Sequence, residues 1–192
     1  MFEREPVASV ELLEGELRRE QTRTRRRQSR HTVLRVLLSL LIALFVAGLY
    51  AAPVLRISGD AMAEALRDGD IAVGIRSAQF TRGEPVFFRY KGGLLIKRLI
   101  AQGGDVVDIA RDGRILVNGE ALDEPYVSAF DRGNCDMIFP LTVPEGCCFV
   151  VGDNRALSID SRSTVIGCVE ESTLVGRMLL RLWPLPRFGL IR

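Results

Sequence analysis

The sequence predicts a mainly β domain of antiparallel strands, preceded by one transmembrane helix. Two observations predict it. Val36 to Leu55 is a run of twenty residues without a charge. As a helix rising 1.5 Å per residue, such a run covers about 30 Å, the hydrocarbon thickness of a bilayer. Beyond residue 56 the chain becomes short runs of β-formers punctuated by Gly-containing turns, the signature of an all-β body. Overall composition, 47% hydrophobic and 26% charged in 192 residues, is that of one ordinary globular domain and excludes a largely disordered chain.

The anchor assignment rests on charge as well as length. Residues 1–35 hold nine Arg and six Glu, and eight of those Arg lie between Arg18 and Arg35 against the single acid Glu20. The positive-inside rule therefore places the N-terminus in the cytoplasm and everything after about Arg56 outside. The 35 residues ahead of the apolar run far exceed the basic region of a cleaved leader, so the run reads as an uncleaved anchor. The resulting division is 1–35 cytoplasmic basic tail, 36–55 transmembrane signal anchor, and 56–192 extracytoplasmic β domain. Val7, Val10, Leu13 and Leu17 share one helical face behind Pro6, but the segment Val7 to Glu20 reads as a frayed tail. The net charge of +2 gives no electrostatic case for nucleic acid.

In the outer region, strands are expected at Ile71–Ile75, Pro85–Tyr90 and Leu94–Ile100, the last two joined by a Lys91-Gly92-Gly93 turn. Asp105–Ile109 and Ile115–Val117 form a hairpin about Asp112-Gly113, and Asn118-Gly119 supplies a further turn. Cys148–Val151 and Met178–Trp183 read as strands, with Trp183 and Phe188 expected to pack inside the sheet. All four cysteines lie on the outer side, where disulfides persist. Adjacent cysteines rarely bridge, so a Cys135–Cys168 disulfide is expected, with Cys147 and Cys148 reduced or partly buried. No metal-ligand spacing occurs, and the sole histidine, His31, lies on the cytoplasmic side. No metal and no cofactor are therefore expected.

Three polar clusters carry the chemistry: Ser58 to Leu66, Ile96 to Asp105, and Gly152 to Arg162. In the second, strand alternation puts Leu95, Lys97 and Leu99 on one face and Ile96, Arg98 and Ile100 on the other. Both faces are apolar, so both charges are partly desolvated and must pair or neutralise. Arg98 cannot lose its proton and requires a carboxylate, whereas Lys97 can lose its own. The choice of Lys is informative, since only Lys91 and Lys97 of 26 basic residues are Lys. The third cluster offers the carboxylates Asp153 and Asp160, the cations Arg155 and Arg162, and the hydroxyls of Ser158 and Ser161.

Together these clusters resemble the signature of bacterial type I signal peptidases, membrane-anchored serine–lysine endopeptidases. Gly152-Asp153-Asn154 followed by Ser158-Ile159-Asp160-Ser161-Arg162 meets the family's third box in full. Lys97, Arg98, Gly104 and Asp105 meet its second. The anchor ahead of the first box and the Arg-Leu-Trp-Pro-Leu ending fit as well, so the resemblance runs from about Val36 to the C-terminus. It implies a signal-peptidase-like domain of coiled antiparallel sheets. It further implies that Lys97 is the general base, that Ser158 orients Lys97, and that Arg98–Asp153 and Asp160–Arg162 are supporting pairs. Ile57, Met62, Leu66, Leu95 and Ile96 would line the substrate pockets. The implied partners are signal peptides of preproteins and the lipid bilayer, and for nucleophile-less relatives secretion or pilus-assembly machinery.

The first box departs from the family. Ala61 stands where the nucleophilic Ser belongs, Glu64 where Pro belongs and Ala65 where Thr belongs. A methyl group cannot attack a carbonyl. Ser58, three residues upstream, would be displaced by about 10 Å in an extended chain and turned to the opposite face. Three readings follow: a nucleophile-less homologue that binds peptides, an active signal peptidase with an altered nucleophile, and a structural β module with no peptide site.

Overall fold

The computed structural model describes residues 32–48 and 52–191. They divide at Gly48–Leu49 into two units. The first contains a helix, α1, over residues 32–48. Its apolar side chains, among them Leu37, Leu41, Leu44 and Phe45, are more than half exposed. No helix among the described residues is long and apolar enough to cross a membrane. The expected span of 36–55 runs on through residues 49–51, which lie outside the described ones, as does the amphipathic segment Val7–Glu20.

The span is also corrected at its far end. Val54 and Leu55 are not helical but open the β body in strand β1 (Val54–Arg56), paired with Val73 and Ala72. Pro53 explains the change, since its ring and missing N–H bar helix continuation. The remaining strands are β2 (Ile71–Arg76), β3 (Pro85–Tyr90), β4 (Gly93–Gln102), β5 (Val106–Ile109), β6 (Ile115–Val117) and β7 (Glu120–Ala121). They continue with β8 (Leu141–Thr142), β9 (Cys147–Val151), β10 (Val169–Glu170), β11 (Leu174–Trp183) and β12 (Gly189–Leu190). An eight-stranded sheet runs β1-β2-β11-β3-β4-β9-β10, with β12 beside β11. A four-stranded sheet runs β7-β6-β5-β8, and the pairings in both are antiparallel.

The expected turns form for a backbone reason. Lys91–Gly92 and Asn118–Gly119 each put two successive residues at positive φ, the geometry that matches the twist of the strands a two-residue loop joins. Packing uses both faces of the large sheet. Ile100, Phe149 and Val151 meet Val107, Ile115 and Val117 from the second sheet, with Phe139 edge-on to Phe149 at 6.0 Å between ring centroids. Val86, Phe88, Leu99 and Val150 form a second cluster. Ile57, Met62, Leu66, Ala72, Phe87 and Met178 form a third, under the loop that joins β1 to β2.

Two expectations fail here. No disulfide joins Cys135 to Cys168, and all four cysteines are free. Cys168 precedes β10, whose register sets Val169 against Cys148, so it sits beside the β9 cysteines. Cys135 lies in a separate loop, where the Arg132 guanidinium is its neighbour at 3.7 Å. Burial pushes the Cys148 thiol up to about 12 and the Cys168 thiol up as well, so both are protonated and poorly reactive at neutral pH. Trp183 and Phe188 do not pack inside the sheet. They are 52% and 58% exposed, because β11 ends at Trp183 and the chain turns through Leu185–Arg187 along the sheet's margin.

Candidate active site

Strand β4 lies between β3 and β9, with Lys97 opposite Val86 and Arg98 opposite both Pro85 and Val151. Neighbours on both edges and on both faces leave Lys97 4% and Arg98 1% exposed. The sequence expectation that both charges are desolvated is met, and each finds its partner in the loop that follows β9. Lys97 Nζ donates to Ser158 Oγ at 2.8 Å. Arg98 grips Asp153 with two parallel bonds, Nε to Oδ1 at 2.8 Å and Nη2 to Oδ2 at 2.6 Å. Such a fork is the strongest arrangement open to an arginine and a carboxylate.

The loop is held by its own second pair. Arg162 Nε donates to Asp160 Oδ1 at 2.8 Å and Nη2 to Oδ2 at 2.9 Å. Asp160 Oδ2 also accepts the Gly152 N–H at 3.0 Å, and Ser161 Oγ accepts that of Val150 at 3.0 Å. Gly152 is where the loop turns in. A Cβ there would stand 2.2 Å from Ser158 Oγ and 2.5 Å from the Ala61 carbonyl oxygen, so only glycine lets these two segments approach.

That contact brings Ala61 to the site. The Asn154 N–H donates to the Ala61 carbonyl at 3.1 Å, and Leu66 N–H to Met62 O at 2.6 Å closes the turn beyond it. Ala61 and Lys97 both border a cleft of about 260 Å³, with Ile57, Met62, Leu95 and Ile96 among its walls. Four of the five residues expected to line the pockets are therefore there. Leu66 is not: it is fully buried in the third core cluster, below the turn.

Ser58 departs from expectation in the other direction. It borders the same cleft, because Gly59, at φ 84°, bends the chain that sequence reasoning took as extended.

Other members of the site had no sequence signal. The Arg98 guanidinium lies 3.6 Å from the centroid of the Tyr126 ring, a stacked cation on an aromatic face. The Tyr126 hydroxyl donates to Glu124 Oε1 at 2.9 Å, and that oxygen also accepts from Arg155 Nη2. Burial, with Glu124 alongside, pushes the Tyr126 phenol well above its usual range. Glu124 and Tyr126 lie in an irregular stretch after β7 that has no periodicity to mark them.

Burial is also the largest influence on Lys97 and lowers its proton affinity. Arg162 acts the same way, while Asp160 and Asp153 oppose it. The linkage has a definite sign. The folded pKa lies below the unfolded value of about 10.4, so between the two the unfolded chain binds more protons and stability rises with pH. Comparing the chain with its Lys97→Met variant by denaturant unfolding isolates this effect. The difference in unfolding free energy should move in favour of Lys97 as pH rises from 7 toward 10, and a difference flat across that range would contradict it.

A lysine amine hydrogen-bonded to a serine hydroxyl at the wall of a cleft is able, once unprotonated, to accept a proton from a group beside it. Residues 29–183 match the family model described as signal peptidase, peptidase S26, and the chain belongs to that family, as a bacterial type I signal peptidase relative. It is 30% identical over 167 residues to signal peptidase IB of Staphylococcus aureus strain COL, an alignment covering 77% of this chain and 86% of the relative. It is 38% identical over 121 residues to the probable signal peptidase I-2 of a Synechocystis strain, covering 57% of this chain and 51% of that protein. The crystal structure of a signal peptidase I from Enterococcus faecalis V583 is 31% identical, with a TM-score of 0.42 over 52% of this chain and 96% of that one.

Proposed function

We propose that the chain is a membrane-anchored signal peptidase homologue that binds the signal-peptide region of translocated preproteins and does not cleave it. The observation that carries this reading is the content of the cleft. The proton acceptor Lys97 and its Ser158 partner are in place, while position 61 presents a methyl group. The rest of the apparatus supports binding. Ile57, Met62, Leu95 and Ile96 offer small apolar walls suited to short side chains. The β4 edge near Leu94, beyond the reach of β9, has backbone groups that an extended peptide can pair with. In this reading Lys97 remains as the group that would accept a proton, Ser158 as its orienter, and the Arg98–Asp153 and Asp160–Arg162 pairs as the frame.

Location follows the same reading. The apolar run from Val36 up to Pro53 anchors the protein, the Arg-rich segment stays in the cytoplasm, and the β domain faces outward. A binder so placed meets segments leaving the bilayer and suits a part in surface-protein or pilus assembly.

Ser58 favours a second reading, an active signal peptidase with a relocated nucleophile, because it borders the cleft that Lys97 faces. The test is binding without turnover. Full-length protein in detergent should retain a preprotein bearing an Ala-X-Ala site and release no mature product. Cleavage lost in Ser58→Ala would establish the second reading. Failure to bind as well as to cleave would leave only a structural module.

A further inference from the structure

The two lysines sit in opposite surroundings. Lys91 is exposed at the β3–β4 turn, whereas Lys97 is buried at the wall of the cleft. Among the described residues no carboxylate lies within ion-pair distance of Lys97 Nζ. The two that influence it most are already taken, Asp153 by Arg98 and Asp160 by Arg162. Its hydrogen bond to Ser158 occupies one N–H. When unprotonated, the amine thus keeps its lone pair free, and it borders a cleft where position 61 offers no hydroxyl proton for it to accept.

We propose that Lys97 is a nucleophilic amine in its own right, and that the cleft takes up short aliphatic aldehydes and joins them to Lys97 Nζ as a Schiff base. The inference rests on the cleft and on Ala61, and it stands whether or not the protein binds peptides.

The chemistry balances without an oxidant or reductant. The Nζ lone pair attacks the carbonyl carbon and a C–N bond forms. The carbonyl oxygen takes up a proton while the nitrogen loses one. The hydroxyl of this carbinolamine takes up a second proton, its C–O bond breaks, water leaves, and the last N–H proton is given up in place of the one consumed, yielding the neutral imine. The Ser158 hydroxyl, bonded to the same nitrogen, is placed to carry protons between these atoms. Ile57, Met62, Leu95 and Ile96 favour an aliphatic chain and keep bulk water from the imine, and about 260 Å³ accommodates a few carbons. The charged groups acting on the amine are Asp153 and Asp160, which hold its proton, and Arg162, which with burial releases it.

The experiment has an internal control, since Lys91 is the other lysine of the chain. Full-length protein in detergent is incubated with butanal at neutral pH, reduced with cyanoborohydride and mapped by mass spectrometry, which resolves both lysines and the N-terminal amine. Lys97 should carry the butyl group severalfold faster than Lys91, since the cleft gathers the aldehyde at its amine and burial leaves more of that amine unprotonated. Its rate should level off at a lower pH than that of Lys91. Labelling of Lys97 no faster than Lys91 would overturn the proposal. The Ala61→Ser variant returns a hydroxyl to the cleft and should slow Lys97 severalfold while leaving Lys91 unchanged. An unaltered Lys97 rate in that variant would show that the methyl-lined gap is not what makes the amine available.

Discussion

The Asp153→Ala variant should lose about 3–5 kcal/mol of stability, the range for breaking a buried ion pair from one side. Arg98 and Asp153 are each about 1% exposed at their side chains, so the guanidinium left behind has little water to replace its carboxylate. Its contacts with the Gly83 carbonyl, at 2.6 Å, and with the Tyr126 ring supply no formal negative charge. For a body of this size the loss corresponds to a fall of roughly 6–20 °C in melting temperature. Removing both charges together, as Arg98→Met with Asp153→Leu, should cost far less, because no uncompensated charge remains in the interior. Denaturant unfolding of the two variants checks this. Equal losses would mean that the pair acts through packing and not through charge. Asp153→Ala should also detach the post-β9 loop from β4 and so disturb the Lys97–Ser158 contact, which ties the frame to the cleft.

The Ala61→Ser variant should gain preprotein cleavage, but short of the rate of an intact family member. Loss of the nucleophile in serine proteases costs about 10⁶ in turnover, so restoring the hydroxyl opposite a competent base opens a gain of several orders of magnitude. The shortfall comes from the turn that must aim it. Where the family has Pro, Glu64 accepts a hydrogen bond from Ser128 Oγ at 2.5 Å, tying the turn to the loop after β7. Beside it the Ala65 carbonyl accepts from Arg181 Nη1 at 2.5 Å. The Glu64 contact, which a Pro cannot make, bears on the turn that aims residue 61, and a misaimed nucleophile loses rate steeply. The measurement is cleavage of a preprotein with an Ala-X-Ala site by this variant, followed by Ala61→Ser with Glu64→Pro and Ala65→Thr. A further rise in the triple variant is expected. Full rates from the single change would show the two flanking residues to be without effect.

What could be read from the chain depended on how locally each feature is encoded. The strands β2, β3, β4 and β9 were legible because each is a continuous run of β-formers closed by a turn. The two-residue strands β8, β10 and β12 were not, since they exist only through their partners. Strand β1 was hidden by its continuity with the apolar run ahead of it. In the site, alternation along β4 was enough to bury Lys97 and Arg98, and the need of Arg98 for a carboxylate pointed into the third cluster. Tertiary contacts set the rest. Glu124 and Tyr126 reach the Arg155 and Arg98 guanidinium groups from a loop without pattern. Leu66 belongs to the core beneath the cleft and not to its wall, and Ser58 enters the cleft because Gly59 bends the chain. The cysteines illustrate the same limit, since elimination by adjacency cannot see that Cys168 lies beside β9 while Cys135 sits in another loop.

The central claim is that this protein keeps the base and the cleft but has no hydroxyl at position 61 to cleave a peptide. Its most direct test is the release of mature protein from a preprotein by the unaltered full-length chain, measured beside its Lys97→Ala variant. The expected result is that neither releases product above the uncatalysed background. Product formed by the unaltered chain and abolished by Lys97→Ala would contradict it.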